Sequence, residues 1–249
     1  MNKTDIILVV AMAVALIGMI ICQKKQNAFP LAKPLALVLT LVVAVCGIIF
    51  IHGMLGGNSK QIQNNEFKFY ASQMYVMAKY AKDNFDAKSA LVIMDEGYKN
   101  DPRTELVIEQ CKQFIPNVEY GTLEVPAGMA SLNERMRASH FDAFTNQYPN
   151  VDVIITMVGI PRDYAKCKVI KDRQAKQGPV LLMIGYAETR GLPKLIAADT
   201  IPALVTIRNG AQFNENPPPT SMEDTFGVRY EMVTKENLND YKNVIGLGM

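Results

Sequence analysis

The chain has 249 residues, 49% hydrophobic and 20% charged, with a formal net charge of +2. A charge that small, without any lysine-arginine tract, argues against a nucleic-acid partner held through phosphate contacts. Four cysteines without a dense paired framework argue against a disulfide-stapled scaffold.

Two apolar runs open the chain. IILVVAMAVALIGMIIC (6–22) and LALVLTLVVAVCGIIFIHGML (35–55) contain no Asp, Glu, Lys or Arg, and ~20 apolar residues at 1.5 Å rise cross a bilayer core. The reading is a helical hairpin over 1–55, uncleaved because no small-residue cleavage site follows the first run. Lys24, Lys25 and Lys33 in the connecting segment place it in the cytoplasm and the rest of the chain outside the cytoplasmic membrane. GGNSKQIQNNE (56–66) reads as a linker.

The globular part begins with an amphipathic helix, where Phe67, Tyr70, Met74, Met77, Ala81 and Phe85 recur at three- and four-residue steps. Short apolar runs follow at 90–94, 118–125, 151–158, 179–185 and 203–207, separated by helical stretches. Near-continuous apolar strands are buried on both faces, which predicts an α/β fold: a doubly wound, mostly parallel five-stranded sheet of strand order 2-1-3-4-5 over 67–211. Asp101-Pro102 predicts a helix start, Ser131-Leu132-Asn133-Glu134 a capping box, and Pro161 the opening of a helix carrying Tyr164, Cys167 and Ile170 inward. NENPPPTSMED begins a Pro-rich connector and tail (212–249), in which 227–233 is a candidate edge strand.

In open α/β sheets ligands bind beyond the carboxyl ends of the strands. The residues there are Asp95 and Glu96, then Arg162 and Asp163, then Tyr186, Glu188 and Arg190, then Arg208 and Asn209. These are the candidate ligand-binding set; no catalytic residue, metal site or cofactor is expected. DEGYKN after the first strand fits neither a phosphate-binding loop nor a dinucleotide fingerprint. The third strand ends in Thr156-Met157-Val158, where a receiver domain needs a carboxylate. No Gly-x-Ser-x-Gly elbow is present, and His52 and His140 form no zinc constellation with the scattered cysteines. The bland alternatives are that Asp95-Glu96 caps backbone groups and that Arg162-Asp163 and Glu188-Arg190 are surface ion pairs.

ALVIMDEGYKNDPRTELVIEQCKQF, VDVIITMVGIP and RYEMVTKENLNDY resemble strand-loop-helix segments of the type I periplasmic solute-binding proteins, over residues 88–241. The resemblance implies a small-molecule-binding ancestry and a crevice of strand-end loops. Such proteins close two lobes on a ligand, and this chain has repeats for one. The expected function is a membrane-anchored, non-catalytic solute-binding lobe, with the bilayer, a small molecule, and a second copy or membrane protein as partners. The alternatives are a structural membrane protein whose lobe self-associates through Pro217-Pro218-Pro219 and the tail, or an enzyme acting on an anionic substrate.

Overall fold

A computed structural model describes residues 3–24, 31–128, 130, 132–185, 191–214 and 216–241. The chain divides into two compact units, Met1–Asn64 and Asn65–Met249. Helix α1 (Lys3–Lys24) lies in the first unit, and α2 (Ala32–Phe85) contributes residues to both. The 56–66 segment, expected as a linker, is helical, and the boundary between the two units falls within it. Gly56 and Gly57 each cost about 1 kcal/mol relative to Ala within a helix, too little to break one built of good helix formers on either side.

In the first unit α1 packs on α2. A Cβ at Gly18 would lie 3.0 Å from Leu39 Cδ1, so the small residue permits close approach. Thr40 Oγ1 donates to its own helix at Ala36 O (2.9 Å) and lies 3.1 Å from Met19 Sδ. Ala15, Cys22 and Ala32 are buried, while large apolar residues on both helices face outward. The membrane spans expected at 6–22 and 35–55 are not shown by the structure: among the described residues no helix is long and apolar enough to cross a membrane.

The second unit is built on a six-stranded sheet of order β2-β1-β3-β4-β5-β6. In chain order its elements are β1 (Ser89–Met94), α3 (Pro102–Lys112), β2 (Asn117–Thr122), α4 (Leu132–Arg135), α5 (Ala138–Thr145), β3 (Val153–Thr156), α6 (Lys168–Gln174), β4 (Val180–Ile184), α7 (Leu192–Ala197), β5 (Ala203–Ile207), α8 (Met222–Arg229), β6 (Tyr230–Thr234) and α9 (Leu238–Tyr241). The first five strands pair in parallel in the predicted order, and β6 pairs antiparallel with β5, Ile207 opposite Tyr230. The sheet is thus mixed and six-stranded, not five-stranded.

Alternate strand residues supply the two layers. Ala90, Val92 and Met94 of β1 pack with Met74, Met77, Ala78 and Ala81 of α2 and with Val107 and Cys111 of α3. Leu91 and Ile93 face the other way, toward Phe141 of α5, Ile170 of α6 and Leu195 of α7. On α2 the buried aromatic is Phe69, at 2% exposure, rather than the expected Phe67 or Tyr70.

Helix starts follow local chemistry. Asp101 caps α3 by accepting from Arg103 N (2.8 Å), with Pro102 in the first turn. Hydrogen bonding from the Arg103 side chain, at 2.9 and 2.6 Å, holds the Asp101 carboxyl below the usual carboxylate range. The Pro161 helix begins later than predicted. A 3-10 turn covers Tyr164–Lys166, and α6 starts at Lys168 because the Asp142 carboxylate accepts Lys168 N–H from outside (2.9 and 3.0 Å). Ser131 of the expected capping box lies outside the described residues.

Burial raises the Cys111 thiol to about 12, and burial together with the Asp142 hydrogen bond raises Cys167 to about 12, from an ordinary 9.0. The unfolded chain ionises its thiols first, so this contribution to stability is whole below pH 9 and is lost as pH rises toward 12. The denaturation midpoint is expected to fall between about pH 8 and about pH 10.5, and to fall less in the Cys111→Ala, Cys167→Ala double variant. Urea titrations at the two pH values check this; an equal fall in both proteins contradicts it.

Candidate functional site

The carboxyl ends of β1 and β3 flank the point where the strand order reverses. At the first, Asp95 turns back on its own chain: its Oδ1 accepts from Gly97 N (2.7 Å) and caps a 3-10 turn over Glu96–Tyr98. Glu96 is exposed. The adjacent carboxylates therefore do not converge, because one is consumed by a backbone donor and the other faces water.

Beyond β3, the Thr156 hydroxyl donates to Gly159 O (2.8 Å) and accepts from Val158 N (3.3 Å), closing the turn. Arg162 makes an ion pair with Glu134 (3.2 Å) in which both side chains are largely exposed, a contact of small energetic weight. Asp163 Oδ1 accepts from Ala138 N (2.8 Å) and so serves the first turn of α5. Tyr186, Glu188 and Arg190 lie outside the described residues.

Arg208 and Asn209 are placed differently. Both line a groove of about 550 Å³ beyond the carboxyl end of β5, together with Phe69 of α2, Val228 of α8, and Gln212, Asn214, Asn216, Pro217 and Pro219 of the intervening loop. Arg208 N donates to Arg229 O (2.9 Å), extending the β5–β6 ladder by one bond, and Arg208 Nη1 donates to Gly227 O. The predicted site residues are thus not one cluster. Of the predicted site residues that are described, only Arg208 and Asn209 share this cavity.

The loop is held from behind by residues that the sequence reading did not select. Arg229, at 1% side-chain exposure, donates from Nη1 to both Glu66 oxygens (2.8 and 2.7 Å) and from Nη2 to Asn214 O (3.2 Å). Its guanidinium carbon sits 3.5 Å from the Phe69 ring centroid and 5.0 Å from that of Phe213. Lys68 Nζ donates to Pro219 O and Thr220 O, and Thr225 Oγ1 lies 3.1 Å from Pro219 O. The Pro-rich segment expected as a free packing arm is therefore fastened to its own lobe, and the tail that follows supplies β6.

A second cavity, of about 630 Å³, lies between the ends of β1 and β2 and the start of α3, lined by Tyr98, Asp101, Thr104 and Tyr120 among others. Asp101 is already committed to capping α3 and to Arg103. Thr104 Oγ1 donates to Tyr98 O (2.6 Å). Asp101 and Thr104 of this cavity are thus engaged by the fold, while Asn100, Glu105 and Tyr120 also line it. Among the described residues no group of His, Cys, Asp and Glu is arranged to hold a metal ion.

Solved structures similar to this chain include several sugar-binding proteins and a putative LacI transcriptional regulator from Bacteroides fragilis. They include an arabinose-binding protein from Geobacillus stearothermophilus (14% identity, 70% of this chain and 63% of that one, TM-score 0.43). A carbohydrate transporter from Acidothermus cellulolyticus 11B in complex with myo-inositol is 13% identical, over 72% of this chain and 61% of that one, at TM-score 0.44. A sugar-binding protein from Bacillus halodurans is 18% identical, over 70% and 63%, at TM-score 0.43. This chain spans just over six tenths of the length of each. No protein-family model and no curated protein matches the sequence.

Proposed function

We propose that residues 65–241 form a non-catalytic lobe that binds a small polar solute in the groove beyond β5. The observation that carries this reading is the lining itself. Asn209, Gln212 and Asn216 offer amides that both donate and accept, Asn214 adds its amide N–H groups while its Oδ1 accepts from Asn216 N (3.2 Å), Arg208 offers a charged fork, and Pro217 and Val228 provide apolar surface. Hydroxyl-rich solutes need that combination, since each hydroxyl both donates and accepts and the carbon face of the molecule is apolar. The use of Asp95 and Asp163 as backbone acceptors favours binding over acid-base chemistry.

The N-terminal helices are read as the anchor that holds this lobe on the outer side of the cytoplasmic membrane. Support comes from the charge-free runs 6–22 and 35–55. Ile7 at 67% and Leu37 at 70% exposure lie among many outward-facing apolar side chains on helices whose mutual packing covers few of them, which water does not favour. Alkaline carbonate treatment of membranes is expected to leave the full chain in the pellet; release into the supernatant contradicts the anchor.

A second copy facing the groove is the other reading with an observation behind it. Ile207, Phe213 and Val228 are 42%, 60% and 41% exposed around the same rim, and a single lobe leaves a ligand half open to water.

Two substitutions test the site. Asn209→Ala is expected to weaken saturable monosaccharide binding about fivefold, the effect of removing ligand hydrogen bonds from an exposed amide, with little change in melting. Asp95→Ala is expected to remove a cap and cost about 1 kcal/mol of stability, with affinity unchanged. Calorimetric titration and thermal melting of the full chain in detergent read both. Affinity lost in Asp95→Ala and kept in Asn209→Ala places the site at β1 instead and overturns the groove.

A further inference from the structure

We infer that Lys68 of α2 is a positioning residue for the groove: by holding the carbonyls of Pro219 and Thr220 it seats the proline strap as a wall of the site and so sets the affinity for solute. The inference rests on the solute-binding reading and adds a residue that acts on the site from outside it. Pro217 and Pro219 line the groove, and Lys68 is not among the lining residues. Consecutive prolines favour polyproline II, which makes no hydrogen bonds of its own and whose prolines carry no N–H. The place of such a segment is therefore set by bonds from elsewhere. At one end Arg229 donates to Asn214 O (3.2 Å). At the other Lys68 Nζ donates to Pro219 O and, at 3.1 Å, to Thr220 O. The Thr225 hydroxyl lies 3.1 Å from Pro219 O but 2.7 Å from Ser221 O, and its single proton serves the shorter contact, so Pro219 O depends on Lys68.

The helix aims this side chain. Phe69, at 2% exposure, lies against the Arg229 guanidinium, which fixes the rotation of α2 at the next residue and leaves Lys68 part-buried beside the strap. An ammonium carries three donors on a flexible stem, and here two of them meet consecutive carbonyls. Methionine has a stem of similar length without donors, so Lys68→Met releases the strap and keeps most of the packing. A released strap that is seated about one tenth of the time lowers solute affinity about tenfold, because only the seated fraction binds. Lys79 supplies the contrast. It lies on the same helix and pairs with Glu223 (3.1 Å), but neither residue lines the groove, and the Tyr75 hydroxyl also holds Glu223 (2.9 Å).

The test uses the full-length chain in detergent, titrated calorimetrically with D-galactose, D-mannose and D-xylose, with thermal melting alongside. For a sugar that the wild type binds, Lys68→Met is expected to bind about tenfold more weakly and Lys68→Arg, whose fork still reaches the two carbonyls, within about threefold of wild type. Lys79→Met, which removes the same charge from the same helix, is expected to stay within about twofold, and all three variants are expected to melt close to the wild type. An affinity of Lys68→Met within about twofold of wild type overturns the positioning role and leaves solute binding standing. An equal loss in Lys79→Met also overturns it, by assigning the effect to charge on α2. A lowered melting temperature in Lys68→Met, with affinity not restored by Lys68→Arg, overturns it by assigning Lys68 to the fold. Failure of all three sugars to bind the wild type overturns the solute-binding reading and this inference with it.

Discussion

Arg229→Ala is expected to destabilise the α/β unit by about 3–4 kcal/mol. Among the described residues Arg229 is the largest fully buried side chain. It closes three kinds of contact at once: both Nη1 bonds to Glu66, the Nη2 bond to Asn214 O, and the stack on Phe69. Truncation leaves a cavity against Phe69 and frees the 208–216 loop. Glu66 is 41% exposed and regains water, which keeps the cost at the lower end of that for breaking a buried pair. Arg229→Lys keeps the charge but loses the planar fork, and is expected to cost about 1–2 kcal/mol. Urea unfolding followed by tyrosine fluorescence reads this unit alone, since all ten tyrosines lie at Tyr70 or beyond and the chain has no tryptophan. A loss below about 1 kcal/mol for Arg229→Ala would mean that the pair contributes no more than an exposed one.

The second large effect is expected in the central strand. Ile93→Ala removes a side chain of 0% exposure from β1, which is paired on both sides and packed against Phe141 and Ile154. Loss of burial and the cavity left behind are expected to cost about 3–4 kcal/mol. Tyr120→Ala on the edge strand β2, where the residue is 49% exposed, is expected to stay within about 0.5 kcal/mol. The same denaturation measurement distinguishes them. Similar costs at the two positions would contradict the assignment of β1 to the centre and β2 to the edge.

That contrast also marks what the sequence discloses. The central strands are legible because burial on both faces leaves an unbroken apolar run, and Asp101-Pro102 is legible because a cap is a local contact. Helix α8 is not among the elements predicted, although a signal exists: Ser221 is followed by Glu223 and Asp224, and its hydroxyl accepts from Asp224 N (3.0 Å). The glycine pair at 56–57 read as a break, but helix propensity on both sides outweighs it.

The candidate site was half legible. Its strand end at Arg208 and Asn209 lies on the carboxyl side of the sheet that the rule for open sheets names, but away from the β1–β3 reversal where that rule puts a ligand. Its floor is not legible, because Glu66 meets Arg229 across 163 residues of chain and no local pattern records a contact of that range. The amides of the strap were in plain view in NGAQFNENPPP, where an aromatic is interleaved with carboxamides after a strand end. Read as a connector, they lost their chemistry. The acid pair at 95–96 drew attention by composition alone, and the backbone donor at Gly97 N accounts for Asp95.

Hydrogen-deuterium exchange of the full chain in detergent, with and without a saturating monosaccharide, tests the central claim most directly. The account predicts slowed exchange at the amides of 208–214 and of 66–70, with 95–100 unchanged. Protection confined to 95–100 and 157–163, or none anywhere at saturation, contradicts a solute site beyond β5.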